Sequence, residues 1–192
     1  MTFDLHNETS APEAAREVLT ATRQAYGVIP NMERIMASAP PILKAYEQLS
    51  ELFAETTLTP VEREVVCQTA NFENECDYCV PWHTLLSQQA GMDPKDIEAL
   101  RTGSRLSTPK LEALRCFARE LIHNRGKVAH ADVAAFMDAG FTDAQALEVV
   151  LGLAMKLMSN YTNSIAGTPP DKEVQKFHWE KPKIKPREIA GG

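Results

Sequence analysis

Residues 58–91 read L-T-P-V-E-R-E-V-V-C-Q-T-A-N-F-E-N-E-C-D-Y-C-V-P-W-H-T-L-L-S-Q-Q-A-G. Thr59-Pro60 is a helix start, a hydroxyl cap followed by proline at the first helical position. From Pro60 to about Phe72, the residues Val61, Val65, Val66 and Thr69 recur at helical spacing and define a buried side. Asn74 and Glu75 interrupt the pattern. The pair Cys76-x-x-Cys79 then opens a second helix, which runs to about Ala90 and is closed by Gly91. Two cysteines three apart in a first turn are near neighbours and can close to a disulfide with modest backbone movement. The free N–H groups and dipole at a helix start favour negative charge, which lowers a thiol's pKa. His83, four residues beyond Cys79 on the same face, is placed to exchange a proton with that sulfur, directly or through one water. The preceding helix offers Glu64, beside Val61 and Val65, as a carboxylate for the relay. By spacing alone, Glu62 and Glu73 are its rivals.

Outward from this segment the pattern is helix after helix. Residues 11–26 form the first, with Ser10 as cap and Gly27 as stop, and V-I-P-N leads into a short one at about 32–37. Pro40 and Pro41 punctuate before a helix at 42–55. Asp93-Pro94 begins a short helix ending near Gly103, and Thr108-Pro109 begins another that reaches about His123. A helix at 131–139 ends at Gly140, and Thr142 caps the last long one, at 143–165. No strand alternation, internal repeat or low-complexity segment interrupts this order. The tail at 167–192 carries Pro169, Pro170, Pro182 and Pro186, which predicts irregular structure or an arm to a neighbouring subunit. The reading is one all-α domain: N-terminal helices to residue 57, the thiol segment at 58–91, C-terminal helices at 92–166, then the tail.

The chain of 192 residues is 44% hydrophobic and 24% charged, and long enough to bury a core without disulfides or metal as staples. Its four cysteines are thereby free for chemistry. A net charge of −6 with no basic patch argues against a nucleic-acid partner. The longest apolar stretch, at 149–158, is broken by Gly152 and Lys156 and falls short of the roughly 18 residues a membrane span needs. Residues 1–10 have neither a positive start nor an apolar core, so no signal peptide is predicted. These features predict a soluble cytoplasmic protein with no membrane partner. In that reducing compartment a C-x-x-C pair is catalytic or metal-binding.

The succession Glu64, Cys76-x-x-Cys79, His83 and Gly91 resembles the alkyl hydroperoxidase D (AhpD) group of the carboxymuconolactone decarboxylase-like superfamily. The motif covers residues 58–91. Weaker similarity to the peroxidase-related branch extends from Y-G-V-I-P-N at Tyr26 to N-Y-T-N at Asn160. The resemblance implies an all-helical bundle that assembles into a symmetric homo-oligomer, a trimer or hexamer. It implies a dithiol–disulfide cycle that reduces a hydroperoxide or disulfide substrate, with an external lipoyl-type or thioredoxin-like dithiol as reductant and no bound cofactor or metal. Carried over position by position, Cys79 is the attacking thiol, Cys76 the resolving one, His83 the imidazole and Glu64 the relay carboxylate. Tyr78 is a departure, because some peroxidase members carry a second histidine there. A phenol, with a pKa near ~10, is no base at neutral pH. Pro81 and Trp82 add an apolar wall suited to an organic substrate.

Three other readings compete. A zinc site built on Cys76, Cys79 and His83 needs a fourth ligand, and Cys67, Cys116, His123 and His130 are available without the paired spacing of a zinc finger. A lactone decarboxylase needs acid–base groups but no dithiol. A non-enzymatic helical protein, zinc-holding or redox-responsive, needs only the thiols. Thioredoxin-like chemistry on its usual fold lacks its βαβ context here. Cys67 and Cys116 are expected as small core residues, Met155 and Met158 as packing, and Tyr161 and Asn163 as core or subunit contact.

Overall fold

Hydroxyl and proline signals mark several of the helix starts. The computed structural model describes residues 3–182, and Pro186 lies outside them. In order the helices are α1 (Glu13–Tyr26), α2 (Asn31–Met36), α3 (Pro40–Ala54), α4 (Pro60–Glu73), α5 (Cys79–Gln89), α6 (Pro94–Thr102), α7 (Pro109–His123), α8 (His130–Asp138) and α9 (Asp143–Ala166). A 3-10 turn follows at Lys172–Phe177. Among the described residues there is no strand. Thr59 and Thr142 close capping boxes with Glu62 and Gln145, and the Thr108 hydroxyl accepts from the Leu111 N–H. Each such cap is worth about 1 kcal/mol.

Two starts differ from the sequence reading. Pro40 and Pro41 do not precede α3 but form its first turn, where a missing N–H costs nothing and the fixed φ already suits a helix. Ser10 does not cap α1. Its hydroxyl accepts from the Asn7 N–H, and α1 begins after Pro12.

The main core joins Phe53 of α3, Val65 and Val66 of α4, Leu100 of α6, Leu114 and Phe117 of α7, Phe136 of α8 and Val149 and Met155 of α9. A second cluster joins Ala15 and Leu19 of α1, Met32 and Met36 of α2 and Leu43 of α3 to Cys76, Tyr78 and Cys79. The C-x-x-C segment is thus walled by the N-terminal helices. Gly152 lets α9 approach α3 closely: a Cβ there would stand 2.5 Å from the Phe53 ring. Glycine within a helix costs about 1 kcal/mol relative to alanine, and here it admits an aromatic ring against the helix one turn before Lys156.

The described part of the tail folds back on its own chain. Trp179 is buried against Phe72 and Val80, and its indole N–H donates to the Arg101 carbonyl at 2.7 Å. The Arg101 guanidinium in turn donates to the carbonyls of Phe177 and His178. No helix among the described residues is long and apolar enough to cross a membrane.

Candidate active site

α4 ends in a reversal that delivers the first cysteine. Glu75 adopts a left-handed φ of 55°, and the Cys76 N–H returns to the Asn71 carbonyl at 2.9 Å. This is the closing pattern of a helix C-terminus, with glutamate where glycine is usual. The Cys76 carbonyl then accepts from the N–H groups of Cys79 and Val80, both at 3.1 Å. Its sulfur accepts from the Cys79 N–H at 3.2 Å, the contact a serine or aspartate makes when it caps a helix. Cys76 therefore sits just before α5, and Cys79 is the first residue of that helix.

Both sulfurs are free thiols, and their surroundings differ. The Asn163 side-chain N–H donates to Cys79 Sγ at 3.2 Å and lies 3.8 Å from Cys76 Sγ. The Asn160 amide also lies 3.2 Å from Cys79 Sγ. Burial opposes charge on Cys79, but the Cys76 thiol hydrogen bond, Lys156, His83 and Asn160 together outweigh it and hold its pKa below the ordinary thiol value. Cys76 is displaced the other way, first by its hydrogen bond to Cys79 and then by burial.

His83 joins the sulfur pocket to α4 and α9. Its Nδ1 lies 2.9 Å from Glu64 Oε2, and its Nε2 lies 2.9 Å from Lys156 Nζ. Neither ring nitrogen bonds directly to a sulfur. A buried ammonium from α9 occupies Nε2 instead. Burial works against the charge of Lys156, yet Cys79, Cys67, Cys76 and Glu64 overcome it and hold the lysine pKa above its ordinary value. An ammonium has only donors, so His83 accepts at Nε2 and donates from Nδ1–H to the Glu64 carboxylate. The result is a chain Lys156–His83–Glu64 drawn from three helices, with the Lys156 charge acting on the Cys79 sulfur.

Glu64 alone among the three candidate carboxylates meets His83. Glu62 closes the α4 capping box and pairs with Lys110 at 2.8 Å. Glu73 pairs with His123 at 2.8 Å. Tyr78 occupies no base position: its hydroxyl donates to the Asp171 carboxylate and accepts from the Met32 N–H at 3.1 Å. The Trp82 indole donates to the same Asp171 oxygen at 2.9 Å. These bonds tie the C-x-x-C helix to α2 and the tail. Sequence alone does not assign Lys156 or Asn160 to the site, and it predicts Asn163 as core or subunit contact.

Cys79, His83, Glu64, Lys156 and Cys67 face a cavity of about 200 Å³, and Cys76 is not among its lining residues. The opposite chemistry is supplied by Tyr46, Phe53, Trp82, Met32 and Met155. Cavities near ~150 Å³ lined by apolar groups admit a benzene-sized molecule, so this one is of single-ring scale. Cys67 packs in the main core and also contributes to this wall. Among the described residues, Glu64, Cys67 and His83 have potential metal-ligand atoms within 4.8 Å of one another. The donor set excludes both C-x-x-C sulfurs, and the Lys156 ammonium 2.9 Å from His83 Nε2 opposes a cation there.

The sequence profile of the carboxymuconolactone decarboxylase family matches residues 40–120, the part that runs from α3 into α7 and includes the thiol segment. Comparison with curated proteins finds no matching sequence. Among solved structures, the chain resembles an AhpD-core, peroxidase-related protein of Ralstonia eutropha, with a TM-score of 0.79 and 21% identity over 90% of this chain and 93% of that one. A peroxidase-related protein of Silicibacter sp. gives a TM-score of 0.76 and 20% identity over 91% and 92%. A variant of the debrominase Bmp8 in complex with 2,3,4-tribromopyrrole gives 0.75 and 13% over 92% and 95%. The fold is that of these AhpD-core and peroxidase-related structures.

Proposed function

We propose that the protein is a dithiol peroxidase in which Cys79 attacks and Cys76 resolves. The observation that carries this reading is the asymmetry of the pair. One sulfur faces the cavity, receives amide hydrogen bonds and lies under the influence of a buried ammonium, while the other lies behind it. A thiolate is the reactive form of cysteine. The Cys79 thiolate attacks the terminal oxygen of an organic hydroperoxide, the O–O bond breaks, and Cys79 becomes a sulfenic acid. The departing alkoxide takes a proton from the Lys156 ammonium, which His83 and Glu64 hold in place. The Cys76 thiol then condenses with the sulfenic acid, forming the disulfide and releasing water. An external dithiol reduces that disulfide by exchange. It restores the Cys76 thiol and the Cys79 thiolate and returns one proton to Lys156.

The test is intact mass with peptide mapping after stoichiometric cumene hydroperoxide. The expected result is a loss of two hydrogens located to the peptide holding Cys76 and Cys79. Full peroxide consumption by Cys79→Ser would overturn the mechanism.

A second reading applies the same dithiol to a halogenated ring, supported by the single-ring scale of the cavity and the fold shared with a debrominase. Two thiols supply two electrons, so an aryl bromide leaves as the arene and hydrogen bromide while the pair closes to a disulfide. Bromide release from a bromopyrrole, measured beside peroxide consumption, separates the two. For assembly, Leu147, Val150, Leu157, Tyr161 and Ile165 stand exposed along α9 at helical spacing, and this apolar stripe is the surface we assign to a homo-oligomer. A monomeric mass in solution would contradict that assignment.

A further inference from the structure

The mechanism leaves one buried acid in the cavity wall without a role. Glu33 of α2 is 6% exposed, and its Oε2 has no hydrogen-bond partner among the described residues. Buried polar atoms are nearly always paired, so the free Oε2 is an acceptor or donor open to a ligand in the cavity. Glu33 lines the same cavity as Cys79, together with Tyr46 of α3.

We propose that Glu33 and Tyr46 form the polar end of a substrate subsite, donating hydrogen bonds to an oxygen of a small organic hydroperoxide whose ring lies between Phe53 and Trp82. The substrate class rests on the peroxidase reading, whereas the donor pair is a property of the cavity itself. The groups acting on Glu33 come from every side: Glu47 from α3, Asp171 from the tail and Lys156 from α9. Burial acts first, and Glu47 and Asp171 act with it. The Glu33 backbone hydrogen bond and Lys156 act against them, and the carboxyl is held well above the usual carboxylate range. Burial, then Glu33 and Cys79, likewise hold the Tyr46 phenol neutral. A protonated carboxyl and a phenol each offer one O–H donor. A small neutral molecule with an oxygen acceptor beside an apolar body complements this wall, and an anionic substrate does not. Glu33 acts here as a positioning residue, and Lys156 remains the proton source.

The experiment uses 2-phenylpropan-2-ol, the alcohol left when cumene hydroperoxide is reduced, titrated by NMR into the full-length Cys79→Ser protein. Cumene, which lacks the oxygen, is the control. Glu33→Ala is expected to weaken alcohol binding about tenfold and to leave cumene unchanged. Glu33→Gln, which keeps a donor, stays within about threefold of the parent, and Tyr46→Phe weakens the alcohol alone. In the protein with Cys79 intact, the Glu33→Ala loss on cumene hydroperoxide falls on KM. Equal weakening of alcohol and cumene, or no change for either, would overturn the subsite. Discrimination between the two ligands without peroxide turnover would leave the subsite standing and remove the peroxidase reading.

Discussion

Two thiols face the same cavity and are equally withdrawn from water, Cys67 at 3% exposure and Cys79 at 2%. Their chemistry is opposite. Burial raises the Cys67 pKa, Glu64 adds to the rise, and the pull of Lys156 does not offset it. Burial acts on Cys79 in the same direction, yet its pKa falls, because Cys76, Lys156, His83 and Asn160 favour the charged form. Desolvation therefore does not decide which sulfur ionises more readily. Hydrogen-bond donors and one fixed charge do.

The largest effect expected from breaking this contrast comes from Cys79→Ser. Peroxide consumption should fall by at least ~10³-fold, with Cys67 and Cys76 failing to substitute, as a stopped-flow peroxide assay would register. Lys156→Met removes a charge that favours the Cys79 thiolate while keeping most of the side chain's length. The rate at neutral pH should fall on the order of 10²-fold, and the Cys79 titration should move toward higher pH. The sign follows from the lowered thiol pKa. In the parent protein the thiolate persists as pH drops below the ordinary thiol value near ~8.5, and reactivity is lost only on the acid side. In Lys156→Met that loss begins at a higher pH.

Asn163→Ala deletes one donor to the sulfur. A hydrogen bond to a charged group is worth about 1.5 kcal/mol, so the expected loss is roughly tenfold, read from single-turnover rates. Cys67→Ala should alter peroxide kinetics least and lower stability by about 1 kcal/mol, as chemical denaturation would measure. A large kinetic effect at Cys67 would mean that the two thiols share the chemistry.

The two sides of the site were unequally legible in the sequence. Glu64, Cys76, Cys79 and His83 lie within 20 residues, on α4, in the turn after it and on α5. Local spacing grouped Cys76, Cys79 and His83, the family resemblance singled out Glu64 from Glu62 and Glu73, and the helix order from α1 to α9 followed from the caps and stops. Lys156 and Asn163 come from the last long helix, 73 residues from His83 and 84 from Cys79, and only packing brings them in. One signal was present. Lys156 interrupts an apolar stretch, and Gly152, Lys156, Asn160 and Asn163 lie along one side of a helix, a polar stripe on a face that is buried. Tyr78 was read beside the cysteines as a poor substitute for a base. Its role as a strut depends on Asp171, 93 residues away, which no periodicity reveals. Pro40 and Pro41 were misplaced for a different reason: proline marks a helix boundary without saying on which side of it the residue falls.

The central claim, that partners and not burial make Cys79 the reactive thiol, is tested most directly by following thiolate ultraviolet absorbance against pH in the parent, Cys79→Ser and Cys67→Ala proteins. The account predicts one thiolate forming well below the ordinary thiol range in the parent and in Cys67→Ala, and its disappearance in Cys79→Ser. An unchanged low-pH transition in Cys79→Ser, or its loss in Cys67→Ala, would contradict it.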